Sequence, residues 1–487
     1  MGDPAKTGLD DLSNVRSNGS FEKNQIEHQE FVERGESPSP DPDFLRKTIR
    51  KIDLRLLPIL GALYSIALID RTNISLARVA GMDVELELTV GNRYSIVSLM
   101  FFVPYIILEL PSNILLRKFG TARWLTFISV SWGAVTIGMG FVHSWGALTA
   151  CRALLGALEA GFFPACAFVI ATWYTRYETG KRMSGFYLIS LVISGFSGIL
   201  AYGLVQMGGT AGIRGWRWIF IIEGVITCAF GMAAYFLIVD FPDKNKFLTA
   251  EQTTMILTRI EKERGDTVYE PLTWPLFRSH ISDLKLWGFA LMFMASTMPS
   301  YAFAYFLPVI LTGMGYTVKE SQLLTAPPYI VCAPYAMALA WLSDRTHNRS
   351  RVIIFQATCC LVGLLLVAYL KNNHARYFGV FMGLAGANSN VPATLAWMNN
   401  SILGSSKRSV GSAMAIGFGG IGGILATTVF VQKDAPRYLK GLWITVGLQF
   451  LTIILALTFT TYFSRANKKV RAGEKVIEGR EGFEYTL

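Results

Sequence analysis

Residues Leu54 to Ala80 read LRLLPILGALYSIALIDRTNISLARVA. The run opens as an apolar segment of membrane length and then carries Asp70, Arg71, Thr72 and Asn73 inside itself. At roughly 20 residues per crossing and 1.5 Å of rise per residue, such a helix spans a bilayer. A charge near the bilayer centre costs about 2.5–3.5 kcal/mol on insertion scales. Two adjacent charges therefore need each other, a partner helix or a watery cavity. One reading is an ion or substrate pathway. The other is a helix that ends near Ile69 and leaves its charges among the outer headgroups. The rest of the chain has to decide.

The chain has 487 residues, 52% of them hydrophobic and only 16% charged, with a mean hydropathy of +0.38. That profile is too apolar for a soluble protein of this length and fits a polytopic membrane protein. The formal net charge of +11 points to a lipid surface and not to nucleic acid, because the basic residues fall in short loops between apolar runs. Cys151, Cys166, Cys228, Cys332, Cys359 and Cys360 lie in or at the ends of apolar stretches without ligand-like spacing. They read as buried packing residues, not a disulfide framework. Residues 1–45 are polar and net acidic and are expected to be a disordered tail. They contain no early apolar signal region, and Lys6 stands where a myristoylation motif needs Ser or Thr.

Twelve apolar stretches follow, at 54–79, 94–116, 123–142, 147–173, 183–207, 217–240, 285–312, 320–342, 351–370, 377–402, 409–431 and 441–463. Alternate loops hold Arg117, Lys118 and Arg123, then Arg176, Lys181 and Arg182, then Arg345, Arg349 and Arg351, then Lys407 and Arg408. The opposite loops are poorer in Lys and Arg, except the last, with Lys433, Arg437 and Lys440. The bias places both termini in the cytoplasm. The reading is of a bundle over 46–240, a cytoplasmic loop over 241–284, a second bundle over 285–465 and a tail over 466–487. Thr249 and Gln252 have capping-box spacing, so Ala250–Arg264 is expected to be a short helix in that loop. The halves echo each other, LLRKFGTAR after the second stretch and LSDRTHNRSR after the eighth, as in transporters built from repeated bundles. Gly-rich passages at 194–198 and 417–423 suit close helix packing.

Six ionisable residues lie well inside the twelve stretches: Asp70, Arg71, Glu109, Arg152, Glu159 and Glu223, all in the first half. The first bundle is expected to handle charge and the second to supply shape and neutral hydrogen bonds. Asp70 lies about 24 Å along from Leu54, and Glu159 comes two turns, roughly 10 Å, deeper than Arg152 on the same face. Glu159 sits among Ala157, Leu158, Ala160, Gly161 and Phe162, where a charged carboxylate is poorly solvated and takes a proton readily. Arg71 cannot discharge, which suits it to grip a cargo carboxylate. Glu109 reads chiefly as a packing hydrogen bonder beside Pro111, and Glu223 reads equally as structural or functional. In the second half Tyr301, Tyr305, Asn388, Asn390 and Trp397 are pocket candidates, since aromatic and amide groups orient ligands in mostly apolar sites.

The set DRTNI (70–74), ELPSN (109–113), RALLGALEAGFFP (152–164), WYTRYETGKR (173–182) and GWRWIFIIEG (215–224) resembles the major facilitator superfamily. Within it the chain is similar to the anion:cation symporter family, most of all to the fungal allantoate-permease-like branch. The resemblance covers nearly all of residues 45–465 and departs at Arg117, where the superfamily often has Asp. It implies an all-α fold of twelve transmembrane helices in two pseudo-symmetric six-helix bundles. It also implies a secondary transporter that takes up a small organic anion with protons. Bacterial sugar-acid/proton symporters and vertebrate sialin-like proteins resemble the chain at its Asp-Arg pair and its Arg and Glu of the fourth helix. Those likenesses imply Asp70 and Glu159 as proton sites, Arg71 near substrate, and Arg152 as the ionic partner of Glu159. Asn73, beside the Asp-Arg pair, is a further candidate for substrate contact. Asp344–Arg345 corresponds to the family's cytoplasmic latch. No cofactor or metal is implied, and the five histidines are scattered without ligand spacing, so an enzyme is not expected. The expected partners are the anion, protons and membrane lipid, the protein acting as a monomer, with the plasma membrane as its location. A proton-antiport exporter of an acidic metabolite, or a non-transporting nutrient sensor, shares the same fold and stays open at this point.

Overall fold

The computed structural model describes residues 42–487 apart from 240, 243, 244, 246, 265–272, 347, 404, 432, 433, 435, 436, 475 and 479–481. The acidic stretch before Pro42 lies outside the described residues. The first helix, α1 (Pro42–Ala77), begins at a proline, which needs no amide partner in a first turn. At 36 residues it is about 54 Å long, well beyond the roughly 30 Å hydrocarbon core. Its basic opening therefore projects from the membrane, and the helix starts about a dozen residues before the apolar stretch does. It does not stop near Ile69. The helix runs through Asp70 and Arg71 into a π-helical turn, Arg78–Met82, where Gly81 takes φ 107° and turns the chain.

The remaining helices of the first half are α2 (Arg93–Phe119), α3 (Thr121–Met139), α4 (Trp145–Glu159), α5 (Phe162–Trp173), α6 (Arg176–Gly195), α7 (Ser197–Val205) and α8 (Gly215–Leu237). Between the halves lie α9 (Ala250–Arg264) and α10 (Trp274–Ile281). At the start of α9 Thr249 and Gln252 cap each other reciprocally, each bond 3.2 Å. The second half holds α11 (Leu284–Gly313), α12 (Val318–Leu323), α13 (Ala326–Thr346), α14 (Arg349–Tyr369), α15 (Asn373–Ser401), α16 (Ser405–Val429) and α17 (Leu439–Arg471).

Taking α4 with α5, α6 with α7 and α12 with α13 as broken crossings, the chain crosses twelve times, six in each half. Among the described residues, nine helices are long and apolar enough to span a membrane; α2, α3 and α15 complete the set. The packing repeats from half to half. The pairs α1–α6, α1–α8, α2–α4 and α3–α8 recur as α11–α16, α11–α17, α13–α15 and α14–α17. The halves meet along α1–α11, α2–α16 and α6–α13.

Small residues allow these approaches. A Cβ on Gly156 would fall 1.9 Å from the Phe101 carbonyl oxygen, so α4 packs backbone to backbone on α2. Across the halves, a Cβ on Gly198 would fall 2.1 Å from the Gln322 carbonyl oxygen. The glycine passages thus do the close packing their composition suggests.

The described hydrogen bonds between the halves gather beyond Arg71, at the end of the bundle away from the chain termini. Ser75 Oγ donates to the Ala304 carbonyl at 3.0 Å, the Tyr94 hydroxyl to the Tyr305 carbonyl at 2.8 Å, and Gln322 Nε2 to the Leu76 carbonyl at 3.4 Å. This conformation is therefore closed at the far face. The terminal face is braced within each half. Arg182 grips Asp53 at 2.6 and 3.1 Å, and Arg259 of α9 grips Glu178 at 3.0 Å, which gives Glu178 and Arg182 of the WYTRYETGKR run their partners.

Candidate functional site

The site grows from α1, where four consecutive polar residues stay inside the helix. Asp70, Arg71 and Asn73 are 2%, 6% and 0% exposed, so the headgroup reading of this stretch is excluded. Arg71 Nη2 and Nε donate to Glu159 Oε1 at 2.5 and 3.1 Å. Its Nη1 donates to the Tyr301 hydroxyl of the second half at 3.4 Å. The rings of Phe101, Tyr105 and Tyr301 surround the guanidinium at 5.6, 5.7 and 5.8 Å from their centroids. The cation is thus enclosed by aromatic faces and a carboxylate.

Glu159 ends α4, just before the break at Ala160 and Gly161. Gly161 lies against Ser112 of α2, where a Cβ would come 1.8 Å from the hydroxyl oxygen. That contact sets the depth at which Glu159 enters the bundle. Its second oxygen has no hydrogen-bond partner.

The ionic partner of Glu159 is thus Arg71, not Arg152 as the family resemblance implies. Arg152 and Glu159 share a face, but two turns put roughly 10 Å between them. Arg71 comes from a neighbouring helix at the right level. Arg152 is fully buried, and none of its three guanidinium nitrogens has a hydrogen-bond partner. Leaving a buried cation in that state is costly, on the order of several kcal/mol.

A second group lies beside this pair. Asn73 Nδ2 donates to Asp70 Oδ1 at 3.3 Å and closely to Glu223 Oε2 of α8. Glu223 is 3% exposed. Glu109 is buried in α2. The GWRWIFIIEG run also anchors the far face, since Arg217 Nη2 and Trp216 Nε1 donate to Glu85 at 2.8 and 2.6 Å.

The second half contributes neutral groups. Tyr301 reaches Arg71, while the buried Tyr305 hydroxyl has no partner. On α15, Asn390 is fully buried with both side-chain polar atoms unpaired, and Asn388 Nδ2 is unpaired as well. Trp397 does not join them. Its indole nitrogen donates to the Thr486 carbonyl at 2.8 Å, which places it at the terminal face as an anchor for the C-terminal segment. Asp344 pairs with Arg349 at 2.8 Å, and Arg345 lies over the Trp341 ring at 5.2 Å. A cleft of about 200 Å³ between the halves is lined by Thr72, Ser75, Ser197, Ala304, Thr325 and Tyr329.

Some participants escape sequence reasoning. Tyr105 and Phe101 look like lipid-facing aromatics until α4 and α1 are packed on them. Gln322 had a signal, a lone amide at the start of an apolar stretch. The C-terminal segment had none. Glu478 accepts from Lys407 at 2.8 Å and closely from Lys285, Asn467 holds Tyr485 by bonds of 2.8 and 2.9 Å, and the Arg349 amide donates to the Leu487 oxygen at 2.5 Å.

Twelve crossings in two pseudo-symmetric halves, with a buried charge network where the halves meet, define a membrane transporter. Residues 60–427 match the model of the Major Facilitator Superfamily, and the chain belongs to that family. It is 32% identical over 470 residues to an uncharacterized transporter of Schizosaccharomyces pombe, covering 95% of this chain and 94% of the relative. It is 28% identical to the high-affinity nicotinic acid transporter of Saccharomyces cerevisiae, covering 89% of this chain and 81% of that one. Among solved structures the xylose transporter XylE from E. coli, in a partially occluded inward-open conformation, aligns with a TM-score of 0.65 at 13% identity. That alignment covers 84% of this chain and 99% of XylE. A bacterial homologue of the human lysosomal transporter Spinster, inward-facing and occupied, aligns with a TM-score of 0.60 at 14% identity, over 84% and 96% of the two chains.

Proposed function

We propose that the protein is a proton-coupled carrier of a small organic anion, acting as a monomer by alternating access and belonging to the anion:cation symporters. The observation that carries this reading is the Arg71–Glu159 pair, with Tyr301 of the opposite half completing the shell of Arg71. While Glu159 is ionised, it occupies the guanidinium. A proton on Glu159 weakens that bond and leaves Arg71 free to take a cargo carboxylate as a two-pronged donor. The cargo then stands between α1 and α11, where its presence changes how the halves fit together. Binding of anion and proton thus favour each other, which is the coupling a symporter needs.

With the termini in the cytoplasm of a plasma-membrane protein, the far-face closure described above is the cytoplasm-facing stage of the cycle. Asn388, Asn390 and Tyr305 are assigned to orienting the neutral part of the cargo. The yeast relative named for nicotinic acid makes an aromatic monocarboxylate the first cargo to try. The test is accumulation of labelled nicotinate, pantothenate, allantoate and small dicarboxylates in a permease-deficient host at acid and neutral pH. Accumulation of one of these, greater at acid pH and lost in Arg71→Ala, is expected. Full-rate uptake by Arg71→Ala would remove Arg71 from the mechanism.

A further inference from the structure

The charge network has a member that the Arg71–Glu159 pair does not use. Glu223 enters from α8 and meets Asp70 of α1 through one amide nitrogen, Asn73 Nδ2, which donates to both carboxyls. The remaining oxygens, Asp70 Oδ2, Glu223 Oε1 and Asn73 Oδ1, are buried and have no hydrogen-bond partner. The same triad thus holds two carboxyls and three idle acceptor atoms.

The surroundings decide its charge. Glu223 takes part in no ion pair among the described residues, and Arg71 is turned toward Glu159. The α3 helix, packed along α8, carries only Arg123, near its start, and α7 carries no charged residue, only Tyr202. Past the far end of α1, Arg78 stacks on the Tyr94 ring at 4.0 Å. Asp70 feels the Glu159 carboxylate first, then Arg152 of α4, the Trp132 indole of α3 and Arg71. Two full negative charges on one amide, at this depth, repel strongly in a low dielectric. A single proton between them removes the repulsion and turns one idle acceptor into a donor.

We infer that Asp70 and Glu223 form one proton site, a single proton shared across the Asn73 amide. Asn73 is then a positioning residue, the bridge that makes two carboxyls from two helices titrate together. The α8 carboxyl adds a proton store to the first half that is separate from Glu159. The inference rests on the proton-coupled reading for its role in transport, but not for the protonation itself.

The test therefore needs no cargo. Infrared difference spectra of the purified full chain in lipid nanodiscs, recorded as a pH titration, separate the carbonyl stretch of a protonated carboxyl from carboxylate bands. Glu223→Gln is expected to delete one protonated-carboxyl band. Asp70→Asn is expected to shift the midpoint of that band, and Asn73→Leu to abolish the shift. A Glu223→Gln spectrum identical to the wild type would overturn the inference, as would a Glu223 band unmoved by Asp70→Asn. Replacing choline chloride by sodium chloride is expected to leave the band in place. Its loss in sodium would make the triad a cation site and equally overturn the proton assignment. If Glu223→Gln does not fold, Glu223→Asp keeps the acid at shorter reach and should move the band without deleting it; an unmoved band would count against the inference. A proton band that behaves as expected beside nicotinate uptake indifferent to pH would uphold this site and sink the symport proposal alone.

Discussion

The two halves of this transporter repeat the same helix pairings but carry opposite interiors. In the first half, α1, α4 and α8 bury Asp70, Arg71, Arg152, Glu159 and Glu223, with Arg71 paired to Glu159 and Asn73 joining Asp70 to Glu223. The second half offers amides and phenols at the equivalent depth, with Asn388, Asn390 and Tyr305 holding unpaired polar atoms. The lesson is that one fold can divide its work. Ionisable groups sit on one side of the interface, while neutral amides and phenols sit on the other, which is the division the proposed symport needs. Arg71 belongs to both, since it pairs with Glu159 behind it and Tyr301 in front.

The contrast can be broken most forcefully at Arg71. Arg71→Ala leaves Glu159 as an uncompensated buried charge, and breaking such pairs costs roughly 3–5 kcal/mol. Uptake of the cargo identified by the screen should fall about a hundredfold or more at equal surface expression. Arg71→Lys should recover little, because one ammonium cannot replace the two-pronged donor. A smaller loss is expected from Glu159→Gln, which keeps size but not charge. Exchange of cargo across the membrane should persist, while accumulation against a gradient should vanish; accumulation that still follows the pH gradient would place the proton elsewhere.

A third substitution sharpens the other side of the comparison. Asn390→Ala removes a neutral group, so about 1 kcal/mol, roughly a fivefold rise in KM, is expected, with the pH dependence of uptake unchanged. A changed pH profile would show that the second half also handles protons. The smallest effect lies outside the membrane. Burial alone would raise the Glu478 carboxyl, but hydrogen bonds from Lys285 and Lys407 outweigh it and hold Glu478 below its ordinary value. A lowered folded-state value means the docked C-terminal segment is fully stabilised above the unfolded carboxylate value of about 4.3. That stabilisation is lost as pH falls through the lower folded-state value. Limited proteolysis should therefore release this segment only in strong acid, and Glu478→Gln should release it at neutral pH with uptake nearly intact.

The architecture was legible because a bilayer punishes ambiguity. Twelve apolar runs and a Lys/Arg bias in the loops leave few alternatives to two bundles of helices. The buried ionisable residues were legible too, since six of them in apolar spans stand out against their surroundings. Their pairing was not. Arg152 and Glu159 share one helix face and invite pairing, yet Arg71 reaches the carboxylate from α1. Trp397 shows the same gap, an aromatic in the right span that faces the chain terminus and not a pocket.

By itself the chain's order of residues determined how many times it crosses, where it stays out of lipid, and which side chains are too polar to face hydrocarbon. Those properties follow from transfer energies summed along a helix, and each helix carries them alone. Tertiary structure alone decided that Asn73 bridges Asp70 to Glu223, that Tyr301 closes over Arg71, and that the terminal oxygen of Leu487 meets the start of α14. A hydrogen bond depends on angstrom-scale distance and direction between separate helices, and those are set only when small residues such as Gly156 and Gly198 let the helices come to rest against one another.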